Sequence, residues 1–173
     1  DTPVAGRPLV NLSFAINDAV GGLDPWGYHL VNVLIHVIGA LVLFGIVRRT
    51  LAMPRVSGGL HASGDQWPAN ASVNIAFVCA LLWVLHPQNS EAVNYFSQRT
   101  ESMMGLFYLL TLYCSVRKWN VATVIACALG MLCKESMVTA PVVVMRYDRI
   151  FWFDSWVQVL RARRVPDTGP RRA

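Results

Sequence analysis

The feature that most constrains this chain is a run of nineteen residues, 29–47, that contains no Asp, Glu, Lys or Arg. Asp24 and Pro25 precede the run and are typical of a helix start, while Arg48 and Arg49 follow it directly. A helix of about 20 apolar residues is long enough to cross the hydrocarbon core of a bilayer. The run therefore predicts a membrane-spanning helix.

Four further apolar runs follow, at 71–85, 103–116, 120–133 and 137–147. They predict an all-α fold, a polytopic transmembrane helix bundle of about five spans. The later runs are shorter than the roughly 20 residues that a full crossing requires, so we expect some spans to be short or re-entrant. In this prediction residues 1–153 form the membrane domain, and residues 154–173 form a basic cytoplasmic tail or linker.

The composition and the placement of charge agree with this prediction. Apolar residues make up 54% of the 173, and charged residues make up 14%, about half the share typical of soluble domains. If residues 1–28 lie outside, twelve of the fifteen basic residues fall on the inner side and three on the outer side. This distribution follows the positive-inside rule. We therefore expect the lipid bilayer as a partner, and no nucleic acid, despite the net charge of +5.

Polar side chains recur along one face of the first predicted span. His29, Asn32 and His36 stand at positions i, i+3 and i+7, which share a helix face. Polar groups that face hydrocarbon are costly, so this stripe must turn toward protein or water. Two interpretations remain open, namely hydrogen bonds between helices and the wall of a functional cavity.

The segment 86–101 connects the second and third runs and contains several polar side chains. If it is helical, Glu91, Asn94, Gln98 and Glu101 share one face at 100° per residue. Paired carboxylates in a partly dry cleft can hold a divalent metal ion or perform acid/base chemistry. The alternative is an interfacial helix whose polar face is solvated.

Lys134 follows the fourth run, on the side that the predicted topology places outside. An ammonium group near an apolar boundary suits a phosphate held at the level of the lipid headgroups. The alternatives are an ion pair at the membrane boundary and a lysine that snorkels toward water. Loops typical of soluble nucleotide-binding proteins, such as G-x-x-x-x-G-K-[ST], are absent from the sequence.

Short motifs occur in order along residues 7–150. They are Arg7-Pro8-Leu9, the stretch from Gly27 to His36, His86-Pro87 with Glu91-Ala92-Val93, Gln98-Arg99-Thr100-Glu101-Ser102, and Cys133-Lys134-Glu135 with Pro141. This ordered series resembles the multi-span GT-C glycosyltransferases. It is most similar to the protein O-mannosyltransferase-like proteins that carry tetratricopeptide repeats.

The resemblance implies a GT-C-like membrane domain that transfers a sugar from a polyprenyl-phosphate donor to a protein or glycan acceptor, on the periplasmic or lumenal face. Glu101 matches an acidic position of the family and is the candidate catalytic residue. Lys134 and Arg99 are the candidate ligands of the donor phosphate. Glu91 and His86 are candidates for a metal or acceptor role, which makes a divalent metal ion the candidate cofactor.

The sequence also departs from the family pattern. The resemblance places the principal catalytic acid in an outer loop upstream of Arg7, and no 34-residue repeat occurs. We therefore expect a fragment that is inactive in isolation. The alternative function is a noncatalytic membrane module or small transporter, although no internal repeat typical of transporters is found. The preference for arginine over lysine favours a bacterial inner membrane, or the endoplasmic reticulum in a eukaryote.

Overall fold

The computed structural model describes residues 7–22, 24–53, 56, 70–86, 99–153 and 155–157. The six α-helices of these residues are α1 (Pro8–Gly21), α2 (Pro25–Leu51), α3 (Ala71–Leu85), α4 (Arg99–Val116), α5 (Asn120–Met131) and α6 (Ala140–Phe151). A short 3₁₀ helix, Glu135–Thr139, joins α5 to α6. No strand occurs in this part of the chain, so the predicted all-α class is confirmed there.

Helix α2 extends beyond the predicted run at both ends. Its start is set by Asp24, whose carboxylate accepts a hydrogen bond from the backbone N–H of Trp26 at 3.1 Å, with Pro25 at the first position. Of the helices described, α2 is the one long and apolar enough to cross a membrane. The shorter apolar helices are α3 and α5. The other predicted spans therefore rest on sequence alone.

The boundaries near residue 137 differ from the prediction. The fourth run was expected to continue to residue 133, but α5 ends at Met131 and a turn follows. The fifth run was expected to start at residue 137, but that part forms the 3₁₀ helix. Helix α6 begins at Ala140 because Pro141 suits a first turn, where its missing N–H has no helical partner to lose.

Helix α1 has no counterpart among the predicted elements. Its polar and apolar residues alternate too closely to form an apolar run, yet Val10 is fully buried. Val10 packs with Met103 of α4 and with Cys133, which follows α5. A helix placed outside the predicted spans therefore contributes to the core.

Glycines on α2 allow its neighbours to approach closely. A Cβ added at Gly39 would lie 3.2 Å from the Trp83 ring of α3, and one at Gly45 would lie 2.8 Å from the Tyr113 ring of α4. Arg99 contacts Asn32 near the start of both helices, whereas Tyr113 meets Gly45 near their ends. Helices α2 and α4 are therefore parallel neighbours, packed through small residues as membrane helices commonly are.

Helices α5 and α6 complete the bundle. Helix α5 runs back along α4, because it starts just after the turn at Arg117 and is followed by Lys134, which contacts Glu101 at the start of α4. Helix α6 then runs forward, with Asp148 3.7 Å from Lys118. The bundle thus has two ends. The Glu101 end holds the starts of α2 and α4 and the 3₁₀ helix, and the arginine end holds the ends of α2, α4 and α6.

The exterior of the bundle is apolar and much of its buried interior is polar. Large side chains such as Leu41, Phe77 and Val124 are 64%, 59% and 68% exposed. Among the described residues, the buried polar side chains are Asn17, Asn32, Arg99, Thr100, Thr111, Ser115, Thr123 and Asp148. An exposed apolar surface of this extent needs an apolar surrounding to cover it.

Candidate functional site

Glu101 and Lys134 meet at the Glu101 end of the bundle. Glu101 lies in the first turn of α4, and Lys134 lies in extended backbone just before the 3₁₀ helix. The Lys134 Nζ donates a hydrogen bond to the Glu101 Oε1, and both side chains remain partly exposed. The structure therefore brings together the two residues for which the family resemblance implies catalysis and binding of the donor phosphate. An ion pair was also the predicted alternative to phosphate binding for Lys134, and the observed contact with Glu101 is such a pair.

Two adjoining cavities lie beside α4, and Glu101 of the ion pair lines the smaller one. The first has a volume of about 150 Å³, and its lining includes Glu101, His36 and Gly39. The second is more open, at about 360 Å³, and its lining includes Tyr108 and Thr139. Trp83 and Gly105 line both cavities. The result is a mainly apolar groove along α4, bordered by α2, by Trp83 of α3 and by the 3₁₀ helix, and Glu101 lines its smaller cavity.

Arg99 is fully buried between α1, α2 and α4. Its Nε donates to the Asn32 Oδ1 at 2.8 Å, and its Nη2 donates to the backbone oxygen of Tyr28 at 3.0 Å. Longer hydrogen bonds of 3.4 Å reach the Asn17 side chain and the backbone oxygen of Ser13. The guanidinium also lies 4.5 Å from the centre of the Phe14 ring, at the distance of a cation–π contact.

These contacts occupy the groups that Arg99 would use on a phosphate. Every nitrogen of the guanidinium donates to a protein oxygen in the described conformation. The guanidinium stays protonated in proteins, so these oxygens surround a positive charge. The predicted role in donor binding therefore stays a prediction, and it requires Arg99 to leave this cluster.

The polar stripe of α2 faces other helices. Asn32 is fully buried and accepts its hydrogen bond from Arg99. His36 stacks on Trp83 with ring centres 4.6 Å apart, and its Nε2 lies 3.4 Å from the backbone oxygen of Val84. His29 is half-buried near the start of α2. Asn32 and His36 thus make contacts between helices, and His36 also lines the smaller cavity, whose functional role stays a prediction.

Of the remaining predicted residues, His86 lies within the part of the chain that the structure describes. His86 is exposed at the end of α3. Glu91, Asn94 and Gln98 lie outside the described residues, so their shared face is untested. Within the described ranges, no three His, Cys, Asp or Glu side chains could hold a metal ion together. The divalent metal therefore stays a prediction.

Two residues of the groove, Trp83 and Gly105, are not among the site residues predicted from the sequence. The signal available for Gly105 was a glycine inside an apolar run, which often marks a close approach or an open surface. A Cβ at Gly105 would meet nothing within 4 Å. The position of Trp83 over His36 depends on the pairing of α2 with α3, which local sequence patterns do not specify.

Comparison with known proteins identifies relatives over most of the chain. It is 34% identical over 154 residues to protein O-mannosyl-transferase TMTC2 of Mus musculus, an alignment that covers 82% of this chain. It is 31% identical over 173 residues to Tmtc2 of Drosophila melanogaster, covering 92% of this chain. The chain is a homologue of the protein O-mannosyl-transferase TMTC proteins.

The TMTC relatives are much longer than the matched region. The chain spans about 16% of the length of the two TMTC2 relatives and 19% of human TMTC4, to which it is 31% identical over 148 residues. Their name denotes a glycosyltransferase that acts on proteins. No family model matches the chain. No solved structure matches it significantly.

Proposed function

We propose that this chain is part of a membrane glycosyltransferase that transfers a mannosyl group from a polyprenyl-phosphate donor to a hydroxyl group of a protein. The single observation that carries the proposal is the contact between Glu101 and Lys134 beside the groove. A carboxylate next to an ammonium supplies a base for an acceptor hydroxyl and a counter-charge for a leaving phosphate. The names of the TMTC relatives supply the sugar and the class of acceptor.

The apolar exterior supports placement in a bilayer. Helix α2 has 27 residues and is therefore about 40 Å long, enough for the hydrocarbon core and part of the headgroup region. We propose that the shorter helices α3 to α6 also cross or enter the bilayer beside α2. Residues 154–173, outside or at the limit of the described ranges, remain the proposed cytoplasmic tail.

The distribution of charge between the two ends of the bundle supports an orientation. The arginine end carries six basic side chains and one carboxylate among the described residues, namely Arg48, Arg49, Arg117, Lys118, Arg146 and Arg149 with Asp148. Basic residues favour the cytoplasmic side of a membrane. The ion pair of the Glu101 end then lies on the periplasmic or lumenal side. Since the relatives named above are animal proteins, we keep two proposals for this side of the membrane, namely the lumen of the endoplasmic reticulum and the bacterial periplasm.

In the proposed reaction Glu101 accepts the proton of the acceptor hydroxyl, and the hydroxyl oxygen forms a bond to the anomeric carbon of the sugar. The bond between that carbon and the phosphate oxygen of the donor breaks, and its electron pair leaves with the phosphate. Lys134 offsets the charge that the phosphate gains. Because Lys134 and Glu101 form an ion pair before the donor binds, the phosphate replaces the carboxylate at Lys134 and leaves Glu101 available as the base.

The groove supports a lipid-linked donor. It is mainly apolar, its larger cavity is open, and its smaller cavity is lined by Glu101, the partner of Lys134. A prenyl chain in this groove would place its phosphate next to Lys134. Asn32 accepts a hydrogen bond from Arg99 and His36 stacks on Trp83, so these two residues of the stripe contact other helices, and neither contact supports the alternative of a small transporter.

The test is sugar transfer by the full product of the gene in membranes, with a polyprenyl-phosphate mannose donor. Lys134→Ala is expected to lower the rate by about 10²- to 10³-fold, and Glu101→Gln by about 10²- to 10⁴-fold. Glu135→Gln is the matched control, because it neutralises an exposed carboxylate adjacent to Lys134 in the sequence. Unchanged transfer by both Lys134→Ala and Glu101→Gln would refute the assignment. Transfer after removal of divalent cations with a chelator tests the candidate metal.

A further inference from the structure

Two guanidinium groups converge on one tyrosine at the arginine end of the bundle. Arg117 Nη1 donates a hydrogen bond of 3.2 Å to the Tyr113 Oη, and the Arg49 guanidinium lies 5.8 Å from the centre of the same ring. Arg49 comes from the last turn of α2, and Tyr113 lies near the end of α4. The close approach at Gly45 brings the two helices together at this level. We call Arg49, Tyr113 and Arg117 the arginine–tyrosine cluster.

The arginine–tyrosine cluster has an excess of positive charge. Among the described residues no carboxylate pairs with Arg49 or Arg117, and the carboxylate at this end, Asp148, pairs with Lys118 at 3.7 Å. The Nε of Arg49 is buried and has no hydrogen-bond partner. Two like charges held near a neutral phenol repel each other, so an anion placed between them is stabilised by both.

The surroundings of the cluster point to the source of that anion. The guanidinium of Arg117 lies 4.2 Å from the centre of the Trp119 ring, and Trp119 is 49% exposed. Val121 of the following helix is 75% exposed, and the apolar exterior of the bundle starts there. Tryptophan beside an apolar surface is typical of the headgroup level of a membrane.

We infer that the arginine–tyrosine cluster binds the phosphate of an anionic membrane phospholipid. Guanidinium groups suit this ligand because their planar N–H groups can each donate two parallel hydrogen bonds to phosphate oxygens. The Trp119 ring and the exposed side chains of α5 would contact the acyl chains. The inference rests on the proposed insertion of α2 in a bilayer and not on sugar transfer, because the cluster lies at the end of the bundle opposite the Glu101–Lys134 pair.

The test uses the full chain in lipid nanodiscs, with native mass spectrometry to measure the lipids that it retains. We expect phosphatidylglycerol to be retained in preference to phosphatidylcholine when both are present. Arg117→Gln is expected to weaken phosphatidylglycerol binding about tenfold. The matched control, Arg146→Gln, removes an exposed arginine from the same end of the bundle and should weaken binding about twofold at most. Arg49→Gln provides a second variant if Arg117→Gln folds poorly.

Three results would overturn the inference. Equal losses for Arg117→Gln and Arg146→Gln would show that only the general surface charge attracts the lipid. Equal retention of the two lipids by the unsubstituted chain would show that the headgroup charge is not recognised. Displacement of the lipid by an equal concentration of inorganic phosphate would show a site for a free anion. If Arg117→Gln in the full product of the gene loses lipid binding but still transfers sugar, the lipid inference is supported and the proposed function is unaffected. The two proposals can therefore fail independently.

Discussion

At the scale of single residues, Arg99 illustrates how a charge is kept inside this bundle without a carboxylate. Its partners are the side-chain oxygens of two asparagines, two backbone oxygens and the face of Phe14. Hydrogen bonds to charged groups each contribute about 1.5–3 kcal/mol to stability, which offsets part of the desolvation cost. Since Glu101 lies two residues further along α4, the same contacts also hold the first turn that carries it.

Arg99→Gln is expected to lower the free energy of unfolding by about 2–4 kcal/mol, because it leaves the buried Asn32 oxygen and the partly buried backbone oxygen of Tyr28 without their donor. Thermal unfolding of the chain in detergent measures the change. Arg146→Gln, at an exposed position of α6, is the control and should unfold within about 0.5 kcal/mol of the unsubstituted chain. Equal stability of the two variants would mean that the contacts of Arg99 contribute little to the free energy of unfolding.

At the scale of the elements, the packing of α2 depends on small residues at defined positions. Gly45 faces the Tyr113 ring closely, whereas Gly105 of α4 faces the open groove. Both glycines lie inside helices, so replacing either with alanine brings the same gain in helix propensity, about 1 kcal/mol. What differs is the room for the added methyl group.

Gly45→Ala is therefore expected to be less stable than Gly105→Ala by about 1–3 kcal/mol, the usual cost of overpacking. The added Cβ would lie 2.8 Å from a Tyr113 ring carbon at position 45, and would meet nothing within 4 Å at position 105. Parallel unfolding measurements of the two variants check the difference. A result in which Gly45→Ala is as stable as Gly105→Ala would contradict the close α2–α4 contact.

At the scale of the whole molecule, the helix directions place Glu101 and Lys134 at one end and most basic side chains at the other. This arrangement agrees with the topology predicted by the positive-inside rule, in which twelve basic residues lie on the inner side of the membrane and three on the outer side. The proposed sugar transfer requires the Glu101 end to lie on the outer side of the membrane. The proposed lipid binding requires the arginine end to lie at the headgroups of the inner leaflet. One orientation satisfies both requirements.

Cysteine labelling with a membrane-impermeant maleimide in sealed vesicles of known orientation tests that orientation. Ser136→Cys, exposed in the 3₁₀ helix, is expected to react from the outer side, and Ala52→Cys, exposed after α2, only after permeabilisation. The unsubstituted chain provides the background, since Cys79 and Cys127 are half-buried and Cys114 and Cys133 are buried. Reaction of both introduced cysteines from one side would show that the two ends do not face opposite compartments.

Local chemistry explains which parts of the fold were predictable from the sequence. The bounds of α3, 71–85, were predicted as they are observed, because uninterrupted apolar residues and the flanking polar residues define them locally. The start of α6 was missed, since the apolar run gives no sign of a 3₁₀ turn before Pro141. Helix α1 was missed because its stability depends on Val10 packing against residues about ninety or more positions away.

The sequence by itself determined the all-helical class of the described part, the apolar exterior and the segregation of basic residues, because these depend on composition and on local periodicity. Only the tertiary structure decided that Lys134 pairs with Glu101 and that Arg99 donates to Asn32, across 33 and 67 positions of sequence. The periodicity of a helix indicates which of its faces is polar, but it does not indicate which neighbouring helix contacts that face. Partner choice depends on packing, where glycines such as Gly39 and Gly45 let particular neighbours approach.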